Sequence, residues 1–338
     1  MKLLKIILAI LLCALQTLIP HKPIQPPVDP PTVTTTVPQT EPSTAPTTEP
    51  STESTTDPLT VTTTMPTTEQ PTTPMTEPST EPITEPPTEP LADPFLDRFV
   101  LTWSDEFDGD ALDRTKWNGL EFTGGASPRR NGYWHMDMAR VSGGALRIPS
   151  IYYESGYGGG PPGYYSIGIC TSDSFLQTFG YFEVRCQLPK GDGLCSAFFL
   201  QSPGMRLVDG SGRDGMEIDI FEAPYHFTAN KNRVSSALHY DGYGDAHRSQ
   251  SVGIFPVEAP YDNFHTYALE WNTDVFIFYI DRVEVKRSTF GGVSQAPEFL
   301  ILSVTNWFDS AWAGDIRNNN PEDMTDFVVD YVRVYQYK

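Results

Sequence analysis

From about residue 99 to the C-terminus, apolar and polar side chains alternate in short runs: GYFEVRCQL, MEIDIFEA, VSSALHY, HTYALEW, VFIFYI, VEVKRS, EFLILSV and DFVVDYVRVYQY. A period of two places one set of side chains on each face of an extended strand, and turn residues lie near each run. VFIFYI and VEVKRS are separated only by Asp281 and Arg282, which predicts a two-residue hairpin, with arginine an unusual second residue for such a turn. No long helical period is visible. The pattern predicts an all-β domain over residues 94–338, a jelly-roll sandwich of two curved antiparallel sheets.

Upstream the pattern changes twice. Residues 1–20, MKLLKIILAILLCALQTLIP, have a short basic start and an apolar run, the layout of a secretory signal peptide. No clean small-x-small cleavage site follows, so an N-terminal membrane anchor is the alternative, although the run is at the short end for spanning. Residues 21–93 are rich in Thr, Pro, Ser and Glu and end in the loose repeat TEPSTEPITEPPTEP. Such a tract cannot bury a core, and its prolines favour extended conformations, so it reads as a disordered linker, a stalk with sites for glycosylation. The expected location is extracellular, either released or tethered to the cell surface, and the domain is expected to act as a monomer.

Charge narrows the partners. The chain has 43 acidic and 23 basic side chains, a formal charge of −20. The field of such a protein repels polyanions, which excludes nucleic acid and disfavours sulfated polymers. Four cysteines are too few for a disulfide scaffold, and Cys13 lies in the leader. Cys170 and Cys186 flank a turn near Gln177, so a cross-strand bridge and free buried thiols are both open, with Cys195 left over. No Cys/His spacing indicates zinc.

The run Met216–Glu222, MEIDIFE, carries the chemistry. Strand alternation puts Glu217 and Asp219 on one face, with Ile218 and Ile220 on the other. After Ile220 the alternation breaks: Phe221 is apolar where a polar residue is due, and Glu222 acidic where an apolar one is due. One extra residue, a β-bulge at Ile220–Phe221, repairs both by turning Phe221 inward and Glu222 out beside the other acids. Three carboxylates aligned at the expense of like-charge repulsion point to catalysis. The reaction that uses such a pair is glycoside hydrolysis with retention, in which a nucleophilic carboxylate and a protonated one stand about 5–5.5 Å apart. Asp219, between them, can hydrogen-bond an outer acid and help keep one protonated.

At this point the chain resembles glycoside hydrolase family 16, in its laminarinase-like branch, whose signature is E-[aliphatic]-D-x-x-E with the bulge. The likeness runs from about Phe99 to Lys338 through WSDEFDGDALDRTKWN, FGYFEVRCQLPKGDGL, EIDIFE and VDYVRVYQ. It implies a concanavalin A-like jelly roll with Glu217 as nucleophile, Asp219 as assisting acid and Glu222 as general acid/base. It also implies a structural calcium held by Glu106, the Gly144 backbone and Asp330, with ordinary surface acids as the competing reading; the chemistry itself needs no cofactor. Trp134, Trp307 and Trp312 are candidate sugar platforms, against buried packing as the alternative. His239 and Tyr240 resemble a family strand beside the acids. Where relatives carry tryptophans in a GLWPAFW-like run, this chain has Cys195 and Phe199, and near Met138 it lacks a common asparagine.

The expected activity is that of a secreted endo-β-glucanase acting on β-1,3 or mixed β-1,3/1,4 glucan. An agarose-type galactan is the alternative polymer. A non-catalytic carbohydrate-binding module is the alternative class, and it would need no aligned acid pair.

Overall fold

The computed structural model of the protein describes residues 93–120, 125–226 and 229–338, all within the compact unit Thr84–Lys338. The leader at 1–20 and all but the last residue of the linker lie outside the described residues. The architecture is two large antiparallel sheets and a small third one. The first sheet runs, edge to edge, Arg248–Pro256, Arg233–Tyr240, Glu217–Pro224, Leu194–Gln201, Phe299–Asn306, Gly168–Cys170 and Asn118–Gly119. The second runs Val283–Ser288, Phe276–Ile280, His265–Trp271, Gly180–Gln187, Phe327–Tyr337, Leu146–Ile148 and Arg140–Val141, with Phe99–Asp105 also paired to the long strand Phe327–Tyr337. Near-sequence neighbours pair by hairpins, whereas Leu194–Gln201 beside Phe299–Asn306 and Gly180–Gln187 beside Phe327–Tyr337 are long-range pairings, as expected of a jelly roll.

The core lies between the two large sheets. Phe198, Leu200, Ile218, Phe221, Leu300 and Leu302 from the first meet Phe182, Val184, Leu269, Trp271, Val329 and Val332 from the second in one buried cluster. Each such side chain contributes roughly 1.5–3 kcal/mol by leaving water. The alternate positions of the acid-bearing strand are thereby committed to the core, and the acids to the other face.

The hairpin at Asp281–Arg282 forms as expected, with Ile280 facing Val283 and both turn residues at positive φ, 49° and 64°. The arginine has a specific reason to be there. Its guanidinium reaches the fully buried Glu183 at 3.0 Å, a carboxylate that also accepts from the Tyr181 and Tyr331 hydroxyls.

Two features depart from the sequence expectation. The strand Arg248–Pro256 was not among the expected runs; it is a sheet edge with most side chains exposed, so it has little apolar alternation to display. The Cys170–Cys186 bridge is absent, because Gly168–Cys170 and Gly180–Gln187 belong to different sheets; Cys170, Cys186 and Cys195 are buried and outside any disulfide.

Candidate active site

The acid strand contains the extra residue. Against Leu194–Gln201, Phe198 pairs with Phe221 and the next residue, Phe199, pairs with Asp219, so Ile220 has no partner of its own. On the other side Asp219 pairs with Ala237 and Glu222 with Ser235, three steps against two. The Ser236 hydroxyl donates to the Ile220 carbonyl at 2.8 Å, satisfying a backbone acceptor that the bulge removes from the ladder. Phe221 turns into the core against Tyr267, ring centroids 4.5 Å apart. Glu217, Asp219 and Glu222 consequently line one cleft of about 580 Å³.

Their surroundings differ. Glu217 Oε2 accepts from Gln201 Nε2 at 2.8 Å and from the Tyr243 hydroxyl. Asp219, only 4% exposed, meets His239 Nε2 at 3.1 Å through Oδ2, and His239 Nδ1 meets His247 Nε2 at 3.0 Å. Burial, then the neighbouring Glu217 charge, raises the Asp219 carboxyl well above the ordinary range. Burial first, then the charges of Asp219 and Glu217, pushes Glu222 up to about 8, against opposing pulls from His239 and Arg130. The cleft therefore offers a protonated acid at Glu222 and, on the same face, a carboxylate fixed by two donors.

The other expected residues divide. Trp307 and Trp312 line the cleft, their rings edge to face at 5.7 Å, with the Arg130 guanidinium 4.6 Å over Trp307. His239 reaches the site through Asp219. Trp134 does not reach it: the indole is 3% exposed, donates to the Val304 carbonyl at 2.9 Å, and leaves no room for a Cβ at Gly168. Its apolar bulk is worth more in the core than in a loop. Tyr240 likewise points away from the cleft, because it follows His239 by one residue and so takes the opposite face, packing on Phe290 at 5.3 Å.

Of the residues expected to hold calcium, the two acids are each paired with an arginine. Both oxygens of Glu106 accept from Arg333, at 3.0 and 2.8 Å, and Asp330 pairs with Arg185 at 2.6 Å. The Arg333 hydrogen bond holds the Glu106 carboxyl below its ordinary range. One guanidinium thus balances each of the two acids. Among the described residues, three metal-capable atoms come within 4.8 Å of one another only at Glu217, Asp219 and His239, where both imidazole nitrogens are already engaged.

Of the positions that differ from the family pattern, Cys195 and Phe199 line the cleft and Met138 is fully buried. The sequence reading missed Gln201, Arg130, Tyr243 and His247. Tyr243 and His247 sit in YDGYGDAH, where glycines and aspartates leave no strand or helix period to read.

Comparison with known proteins identifies a family. The family model described as Glycosyl hydrolases family 16 matches residues 131–333, more than half of the chain. A beta-glucanase of Rhodothermus marinus is 30% identical over 255 residues, covering 70% of this chain and 85% of that protein. Glucan endo-1,3-beta-glucosidase A1 of Niallia circulans is 28% identical over 266 residues, covering 70% of this chain but only 38% of that longer relative. Among solved structures, the laminarinase from Rhodothermus marinus matches with a TM-score of 0.57 at 27% identity, over 71% of this chain and 98% of that one.

Proposed function

The chain belongs to glycosyl hydrolases family 16, and from that premise and the cleft we propose that it is a retaining endo-β-glucanase acting on β-1,3 or mixed β-1,3/1,4 glucan. The observation that carries the reading is the bulge at Ile220, which brings Glu217, Asp219 and Glu222 to one face of one cleft. In the first half-reaction a Glu217 oxygen attacks the anomeric carbon, the glycosidic bond breaks, and Glu222 passes its proton to the leaving oxygen. In the second, ionised Glu222 takes a proton from water, the water oxygen attacks the same carbon, and Glu217 is released. Two inversions give net retention. Asp219, on the same face and hydrogen-bonded to His239, shares with Glu217 the like-charge repulsion that, after burial, favours the protonated form of Glu222. Trp307 and Trp312 offer flat apolar faces to pyranose rings, with Arg130 and Gln201 as polar partners.

The relatives' names, a beta-glucanase and a glucan endo-1,3-beta-glucosidase, support the polymer and the internal mode of attack. The apolar, basic-started residues 1–20 and the tract at 21–93 support an exported enzyme, free or held at a cell surface. The decisive experiment incubates the purified protein with laminarin, lichenan, barley glucan and agarose and follows product size and anomeric form. Oligosaccharides of retained β-configuration from the first three are expected. Glu217→Gln and Glu222→Gln should each lose activity at least about a thousandfold while unfolding like the parent; near-parental turnover in either would refute the assignment.

A further inference from the structure

The loop between Arg233–Tyr240 and Arg248–Pro256 touches the acids twice, and no part of the proposed mechanism uses it. Its root is fixed. Asp241 is 4% exposed and in the left-handed region, φ 61°, and its Oδ1 accepts from the Asp209 and Gly210 amides at 3.2 Å each. The Gly242 amide donates to the Met205 carbonyl at 2.8 Å. From this base Tyr243, 53% exposed, leans over the cleft, and His247 comes back to the sheet.

The contacts at Glu217 form a closed triangle. Gln201 Nε2 gives one N–H to Glu217 Oε2 at 2.8 Å and another to Tyr243 Oη at 3.0 Å, while the Tyr243 hydroxyl donates to the same Oε2. Burial and the Glu217 charge push the phenol's titration above its ordinary range, so it remains a hydroxyl donor. With Oε2 engaged by two donors, Oε1 is the oxygen left for an anomeric carbon. On the other side of the loop, His247 Nε2 meets His239 Nδ1 at 3.0 Å with the rings 3° from parallel, and His239 Nε2 meets Asp219 Oδ2 at 3.1 Å.

We propose that the 241–247 loop is a positioning element of the active site, in which Tyr243 fixes the Glu217 carboxylate so that Oε1 attacks, and His247 fixes Asp219 through His239. The inference rests on the glycosidase reading above and extends it. In the glycosylation step the new bond joins Oε1 to the anomeric carbon, the leaving oxygen takes the Glu222 proton, and Tyr243 keeps its hydrogen bond to Oε2, which becomes the ester carbonyl oxygen. A phenol on an exposed loop is ordered here by a charge-assisted hydrogen bond rather than by burial.

Removing that hydrogen bond should mis-aim the nucleophile without emptying the cleft. Tyr243→Phe is expected to lower kcat about tenfold or more and to change KM less than about threefold, since a small misplacement of a reacting group is costly. Single-turnover kinetics with an activated aryl β-oligoglucoside should place the loss in formation of the glycosyl-enzyme. His247→Ala should lower kcat in the same way, and His247→Gln, which keeps a hydrogen-bonding group, should recover most of it. A Tyr243→Phe enzyme with parental kcat, or one whose loss lies in KM alone, would overturn the proposal for Tyr243. Equal losses in His247→Ala and His247→Gln would overturn it for His247. Glu217→Gln is the control that separates the two readings: if it is active, the assignment of the acids fails, and if it is inactive while the loop variants behave like the parent, only this inference fails.

Discussion

Glu222 illustrates how much a single side chain owes to its neighbours. Its intrinsic chemistry is that of any glutamate, yet burial and two nearby carboxylates push it up to about 8. A general acid must hold its proton in the free enzyme, so the sign is plain: kcat/KM should fall as pH rises through that point. The expected basic limb lies within about one unit of pH 8, with a loss approaching tenfold per further unit. A pH–rate profile on laminarin checks this, and a basic limb below pH 6 would show that burial and the neighbouring acids do not hold the proton on Glu222 to that pH. The tryptophans carry the complementary lesson. Trp134, Trp307 and Trp312 look alike in sequence, each among turn residues, and only contact decides that the first donates to Val304 in the core while the other two face the cleft.

At the scale of the element, the acid strand was readable because its alternation fails at one place. A break in a period-two pattern has few remedies, and one unpaired residue restores both faces at once. What the pattern could not show is how the bulge is stabilised. The Ser236 hydroxyl, buried, bonds the Ile220 carbonyl. Ser236→Ala should leave that acceptor unsatisfied and lower stability by about 1–3 kcal/mol in denaturant unfolding; a parental midpoint and slope would show that the bulge holds without it. The edge strand Arg248–Pro256 was illegible for the opposite reason, since a strand with one exposed face and an open edge has little apolar pattern to impose. The role of its partner loop, 241–247, was not legible at all, because hydrogen bonds to residues more than twenty positions away give it its place.

At the scale of the whole molecule, a second apolar cluster lies apart from the main core, on the outer side of the second sheet. Phe99, Tyr181, Ala268, Ile277, Tyr279 and Tyr335 form it. Phe95 packs on it, 5.1 Å from Tyr181 and 5.4 Å from Tyr279, with the Arg98 guanidinium over its ring. Phe95 therefore belongs to the folded unit, and Asp93 before it accepts from the Phe95 amide at 3.0 Å. Phe95→Ala is expected to cost about 2 kcal/mol, less than a fully buried phenylalanine because the ring is only partly covered. Equal midpoints for Phe95→Ala and its parent would show that this end contributes nothing. The division between sequence and fold follows from the range of the interactions. Periodicity and its one interruption are local, so the chain itself determined the β architecture, the bulge and the three acids on one face. The choice among look-alike tryptophans, the fate of the three thiols, the arginines that occupy Glu106 and Asp330, and the loop donors on Glu217 and Asp219 depend on residues brought together from distant parts of the chain, and only their packing decided them.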